Sequence, residues 1–314
     1  MKRPLKRALV TVGVILAIPA LLVATSTVAN AVATHVEASD IEPYGRLIPV
    51  DGKRMNVVEA GDGAETIVLL PGLGTAAPGL DFGPLIDDLS RTHRVIALEP
   101  FGTGLSDQTA TARTAANIVR ELHEALRFLD VDRFVLMGHS IAGIYALAYS
   151  EAYADELIAF VGIDSSVPDQ PGAGDPIPTE LMVVLANLGI TRALGALAED
   201  PYDGLDYDPG TVRQMSLLTT RNTTASTMVD EMDRAGENFA SVSGRSFPAE
   251  LPVLLFVRSN DTDVEGWVAL HEAQAASVVH GEVVTLEGDH YLHHTLAERI
   301  THDTTAFLAD LPTP

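Results

Sequence analysis

Phe134-Val135-Leu136-Met137-Gly138-His139-Ser140-Ile141-Ala142-Gly143 changes character at a single residue. Residues 134–137 form a short apolar run of the kind that makes a buried strand, and the small-residue stretch 141–148 reads as a helix. Ser140 stands at the junction. A strand-to-helix turn that sharp crowds the backbone around its central residue, so small residues are needed two positions before and two after, and the serine Oγ is pushed out above the sheet in a nucleophile elbow. Gly138 and Ala142 fill those positions, with Gly143 one residue later. Ser140 is the one serine of the chain with glycine two before and glycine or alanine two after. A helix starting there aims free N–H groups and its positive dipole end at any anion forming beside Ser140.

Outward from this point, short apolar runs recur at 66–70, 94–98, 157–163, 252–257 and 282–286. Between several of them lie helical patterns, such as 115–129 with Ile118, Leu122, Leu126 and Leu129 on one face. Strands alternating with helices build a mostly parallel sheet covered on both faces. Ahead of it, residues 45–50 and 53–59 flank Asp51-Gly52, a dipeptide suited to a two-residue hairpin turn. The alternation is interrupted over 167–248, where a Pro/Gly-rich stretch leads into helix-like segments around 181–197 and 212–235. The pattern resumes at Leu251-Pro252, so this segment is expected to be an inserted helical lid, with the core made of 45–166 and 249–314.

Composition limits what such a chain can do. Its 314 residues are 46% hydrophobic, enough for a sizeable core, and 43 acidic against 20 basic residues give a formal net charge of -23. An acidic surface without a basic stripe repels phosphate backbones, so nucleic acid is not an expected partner. The absence of cysteine removes disulfide scaffolds, thiolate metal sites and cysteine nucleophiles together.

The amino terminus has a different character. Lys2, Arg3, Lys6 and Arg7 precede an uncharged apolar run over 8–24, and Ala29-Asn30-Ala31 follows. A basic region, an apolar region and an A-x-A site make an export signal, and a run of this length also approaches what an uncleaved membrane anchor needs. Residues 1–31 are therefore expected to be a signal peptide or an N-terminal anchor and 32–44 a spacer, with the bulk of the chain secreted or held on the outer face of the cytoplasmic membrane. Since 1–31 hold four basic and no acidic residues, the remainder carries 16 bases against 43 acids, a charge of -27.

Three separated segments, VLLPGLGT at 68–75, EPFGTGLSD at 99–107 and GHSIAG at 138–143, resemble the α/β-hydrolase superfamily over essentially all of residues 45–311. The resemblance implies an eight-stranded, mostly parallel sheet with helices on both faces and a cap inserted after the sixth strand. It also implies that backbone N–H groups of Leu73, in Pro71-Gly72-Leu73-Gly74, and of Ile141 form an oxyanion hole. Pro71 stands where relatives usually carry histidine.

A serine hydroxyl needs a base oriented by a carboxylate. His290, after the last apolar strand, is where the resemblance implies the base, with His293 and His294 as neighbouring alternatives inside a helical pattern. For the acid, the family's turn aligns Asp261, with Asp263 and Asp164 as alternatives; Arg258 replaces the glycine usual in that turn. The expected catalytic residues are thus Ser140, Asp261 and His290, in the chain order of this fold. Glu99 is expected to be structural, with orientation of the oxyanion loop as its functional alternative. Glu199, Asp200, Asp203, Asp206 and Asp208 lack calcium-loop spacing and read as solvated lid surface. Met182, Met215, Met228 and Met232 fit either lid packing or a substrate entrance.

The expected activity is cleavage of small-molecule carboxylic esters through an acyl-enzyme, with no metal or organic cofactor required. The alternatives are an aminopeptidase of the proline-iminopeptidase kind, other acyl transfers of the fold (lactonase, thioesterase, perhydrolase), and a non-catalytic binding protein.

Overall fold

The computed structural model describes residues 3–311. Lys2 of the expected basic region lies outside them, and the side chains of 3–10 and 12–16, including Arg3, Lys6 and Arg7, lie outside the description.

Eight strands, β1 (Arg46–Val50), β2 (Lys53–Ala60), β3 (Thr66–Leu70), β4 (Arg94–Glu99), β5 (Phe134–His139), β6 (Leu157–Ile163), β7 (Val253–Arg258) and β8 (Gly281–Leu286), form one sheet in the order β1-β2-β4-β3-β5-β6-β7-β8. The β1/β2 and β2/β4 pairs are antiparallel and the rest are parallel. Asp51 (φ 48°) and Gly52 (φ 71°) make the tight turn, with Val50 opposite Lys53. Positive φ at both central residues matches the twist of the flanking strands, which is why Asp-Gly sits there.

The helices are α1 (Arg3–Glu37), α2 (Pro78–Asp81), α3 (Gly83–Leu89), α4 (Ala115–Phe128), α5 (Ala142–Ala152), α6 (Thr179–Asn187), α7 (Ile190–Gly195), α8 (Pro209–Asn222), α9 (Ser226–Asp233), α10 (Ala235–Ser241), α11 (Trp267–Ala275), α12 (Leu292–Thr295) and α13 (Ala297–Asp310). Successive residues of a strand face opposite sides, so one apolar run feeds two cores. Phe134 and Leu136 pack with Ile118, Leu122 and Leu126 of α4, while Val135 and Met137 pack with Leu85 and Leu89 of α3 and Ile300 of α13. Each such fully buried side chain contributes on the order of 2 kcal/mol. Burial on both faces explains why β3 and β5 read as continuous hydrophobic runs.

Helices α6 to α10 all lie between β6 and β7, but the segment is not one body. By internal contacts, Pro178–Asp203 groups with the chain up to Glu42 as one compact unit, and Pro43–Ile177 with Gly204–Pro314 forms the other. In the first unit α1 runs unbroken to Glu37 and continues past residue 31. Gly189, with φ 74°, ends α6 and starts α7, dividing what reads in sequence as one helical stretch.

Candidate active site

Ser140 follows β5 directly and has φ 55°, a left-handed conformation that costs a non-glycine residue about 1–3 kcal/mol and is held only by over-determined surroundings. Three hydrogen bonds supply them. Ser140 N–H donates to Ile163 O (3.3 Å), and Ser140 O accepts from Gly143 N–H (3.1 Å) and Ser166 N–H (2.7 Å). The small neighbours are explained by contact. A Cβ on Gly138 would lie 2.8 Å from the Ala142 methyl, and one on Gly143 would lie 2.3 Å from Ser166 O. Alanine fits at 142 because glycine at 138 leaves room for it.

The loop after β3 crosses this elbow at close range. A Cβ on Gly72 would stand 2.9 Å from Ser140 Cβ and 2.8 Å from His139 Nδ1, and Gly74 takes φ 85°. Leu73 is half-buried between these glycines, and Ile141 sits buried at the N-cap of α5. The structure therefore brings the Leu73 loop and Ile141 to Ser140.

His290 lies between β8 and α12. His139 Nε2–H donates to His290 O at 3.0 Å, tying the residue before Ser140 to the histidine loop. Burial, together with the neighbouring imidazoles of His293 and His290, holds the His139 pKa well below the ordinary imidazole value. That bond commits Nε2 as the donor, and the buried Nδ1 has no hydrogen-bond partner.

The carboxylate facing His290 is Asp164. Its Oδ2 accepts from His290 Nδ1 at 2.7 Å, while Oδ1 accepts from Trp267 Nε1–H (2.7 Å) and Arg258 N–H (3.0 Å). Asp164 directly follows β6, is fully buried and has φ 42°. Burial alone would raise its carboxyl pKa; the bonds from His290, Trp267 and the Arg258 backbone outweigh it and hold the group below the usual carboxylate value.

Asp261, the acid expected from the sequence, is not brought to His290. Its Oδ1 accepts the backbone N–H groups of Asp263 (2.7 Å) and Val264 (2.8 Å), closing the turn after β7, and Oδ2 pairs with Arg258. Asp263, the nearer alternative, is largely exposed and also pairs with Arg258, at 3.0 Å. The Arg258 Nε stands 3.2 Å from Asp164 Oδ2 as well, too poorly aligned for a hydrogen bond. Arg258 thus gathers all three acids, but His290 reaches only the one at the end of β6. Asp164 was within reach of sequence reasoning as a carboxylate at a strand end beside the elbow. Trp267 and the Arg258 backbone, which orient it, carried no local signal.

His293 and His294 do not face Ser140; both donate from Nε2 to Asp81, at 2.9 and 3.0 Å. These three residues offer ligand atoms within 4.8 Å of one another, and a metal ion there would have to displace both hydrogen bonds. Their tie holds α12, just after His290, against the end of α2. The Asp81 carboxyl, which burial would raise, is held far below its usual value by the two imidazoles.

Glu99 is fully buried and accepts from Tyr44 O–H (2.5 Å), Asn56 Nδ2 (2.9 Å), Gly79 N–H (3.0 Å) and Leu105 N–H (2.8 Å). It staples the start of α2, which follows the 71–74 loop, to the 102–105 turn. Helix α9 reaches the same loop. Met228 and Glu231 line a water-sized cavity of about 10 Å³ with Gly72, Gly74 and Tyr145, and Tyr145 O–H donates to Glu231 (2.9 Å). Met215, Met228 and Met232 are buried and Met182 is half-buried.

The family model described as "Alpha/beta hydrolase family" matches residues 67–301. "Uncharacterized protein YbdG" of Bacillus subtilis is 25% identical over 278 residues, 82% of this chain and 83% of that one. A protein of Paraburkholderia xenovorans named 2-hydroxy-6-oxononadienedioate/2-hydroxy-6-oxononatrienedioate hydrolase is 30% identical over 151 residues, 46% of this chain and about half (51%) of that one. Among solved structures, the enol-lactonase of Burkholderia xenovorans superposes with a TM-score of 0.61 at 19% identity, covering 84% of this chain and 100% of that one. At that identity the likeness concerns the fold alone.

Proposed function

This chain belongs to the α/β-hydrolase family, and on that footing we propose that it is a serine hydrolase that cleaves carboxylic esters of small molecules, with Ser140 as nucleophile, His290 as base and Asp164 as the acid that orients it. Hydrolysis as the general chemistry is also supported by the relatives named as hydrolases. The observation that carries the reading is the 2.7 Å bond from His290 Nδ1 to a buried carboxylate beside a strained serine elbow.

In this mechanism Nδ1–H is committed to Asp164, so Nε2 is the nitrogen left to take the Ser140 proton. Oγ attacks the ester carbonyl carbon, and the carbonyl oxygen becomes an oxyanion held by the N–H groups of Leu73 and Ile141. The tetrahedral species collapses as His290 returns its proton to the leaving alcohol, giving an acyl-Ser140 ester. Water, deprotonated by His290, attacks the acyl carbon; the bond to Oγ breaks, the imidazolium returns its proton to Ser140 Oγ, and the acid is released. Asp164, kept ionised by its three donors, stabilises the imidazolium formed in both halves.

An aminopeptidase would need a lid carboxylate to hold the substrate ammonium. Glu231 lines the cavity beside Gly72 and Gly74, but it is buried and already accepts the Tyr145 hydroxyl. We also place the catalytic region outside the cytoplasm, because a basic amino end followed by one helix apolar enough to cross a membrane suits that topology.

A fluorophosphonate probe tests the nucleophile: stoichiometric labelling of the full chain, lost in Ser140→Ala, is the expected result. Alkyl esters should be turned over faster than aminoacyl naphthylamides. The reverse ranking, or folded protein that takes no label, rejects the proposal.

A further inference from the structure

Helix α1 has two different stretches. Residues 8–24 are uncharged and apolar, and at 1.5 Å per residue they span about 26 Å, close to a bilayer's hydrocarbon thickness. Beyond them the side chains become mixed. Ser26, Thr27, Asn30, Ala33 and Glu37 are half-buried and recur at helical spacing, so they mark one face, while Val28, Val32 and Val36 are exposed on another.

The half-buried face is engaged by α6 and α7. Asn30 Nδ2 donates to Ala186 O at 3.0 Å. Arg192 reaches from α7 to donate to Asn30 Oδ1 (2.9 Å), Thr34 Oγ1 (3.1 Å) and both carboxylate oxygens of Glu37 (2.7 and 2.8 Å). Between the two helices Gly189 comes so near that a Cβ would lie 2.8 Å from Ser26 Oγ and 2.9 Å from Asn30 Cβ. A bidentate arginine–carboxylate pair joined to a glycine-only approach is a specific fit, unlike the loose contacts of a leader in transit. Cutting after Ala31 would remove Ser26 and Asn30 from it.

The same unit concentrates exposed apolar side chains: Leu181, Val184 and Leu194 on the inserted helices and Leu197 in the turn after α7, besides the valines of α1. The surface continues α1 beyond its apolar run 8–24, whose basic end marks the cytoplasmic side, so the chemistry that covers it is lipid. We propose that α1 is a retained anchor and not a removable leader, that its residues 26–37 are the dock for segment 178–203, and that this helical unit rests on the outer surface of the bilayer. The proposal does not depend on the reaction carried out at Ser140.

Three measurements on the full chain test it. Mass spectrometry of protein from membranes should find residues 1–31 attached; a new terminus at residue 32 overturns the proposal. The chain lacks cysteine, so Leu197→Cys gives a single site for an environment-sensitive fluorophore. In phosphatidylcholine nanodiscs holding one chain each, its emission should shift to the blue and be quenched by doxyl-labelled lipid. Emission as in water without quenching overturns the lipid contact, and a blue shift without doxyl quenching means protein covers the surface and overturns it equally. Arg192→Glu should speed protease cleavage within 178–203, and adding Glu37→Arg should restore resistance. Unchanged cleavage in Arg192→Glu overturns the dock, and acceleration that Glu37→Arg does not reverse also counts against it.

Discussion

Asp164 Oδ2 lies 2.7 Å from His290 Nδ1, and the partners of Asp164 come from two further places, the Arg258 backbone at the end of β7 and the Trp267 indole of α11. The carboxylate is therefore oriented before substrate arrives. Asp164→Asn should lower kcat/KM by about 10⁴-fold by disfavouring the productive imidazole tautomer, while Ser140 remains present. Asp261→Asn should leave the rate within about tenfold and cost on the order of 1 kcal/mol of stability, because asparagine keeps the Oδ1 that closes the turn and loses only the ion pair with Arg258. Ester kinetics and thermal melts on both variants check this, and the opposite ranking would restore Asp261 as the acid.

Arg258 neutralises a cluster of three carboxylates while remaining largely covered. Arg258→Gly, which installs the residue usual in the family's turn, should leave Asp164 its backbone and indole donors and so keep kcat within about tenfold. Stability should fall by roughly 3 kcal/mol, since removing one partner strands buried charge. Urea unfolding together with kcat would reveal a catalytic role if the rate collapsed while the midpoint stayed put.

The sheet was legible in sequence because its signal is local: apolar runs of strand length, Asp-Gly at the hairpin, and Gly138, Ser140 and Ala142 at the elbow. Ser140 and His290 could be placed by the strands they follow. The partner of His290 could not, because the turn after β7 carries Asp261 and Asp263 two positions apart, and choosing between them and Asp164 requires knowing which of two parallel strand ends lies beside the histidine loop. The division of the lid was equally hidden, since the grouping of 178–203 with the amino terminus depends on long-range contacts, such as Arg192 with Glu37 across 155 positions.

The 71–74 loop, which we propose supplies an oxyanion N–H from Leu73, passes over the elbow with no room for a methyl group. Gly72→Ala would bring its Cβ against Ser140 Cβ and the His139 ring, so the loop must retreat and carry the Leu73 N–H away from the developing charge. The expected outcome is a fall in kcat of about 10²–10³-fold, with KM changed much less and the fold retained. Near-normal kcat in a folded Gly72→Ala protein would remove Leu73 from the oxyanion hole.

His139 and His293 are both fully covered, and burial is the largest cause holding each imidazole below its ordinary pKa of about 6.5. For His293 the Asp81 bond opposes that shift without reversing it. The sign follows from proton counting. Between the unfolded pKa near 6.5 and the lower folded values, the unfolded chain binds protons that the folded chain refuses, so these two groups make stability fall as pH falls. Each contributes a slope of up to about 1.4 kcal/mol per pH unit inside that window and none above it. Imidazole Cε1–H chemical shifts followed from pH 8 downward test the premise directly: both rings should still be neutral where an ordinary histidine is half-protonated. A midpoint at or above about 6.5 for either ring would mean that burial does not set its charge.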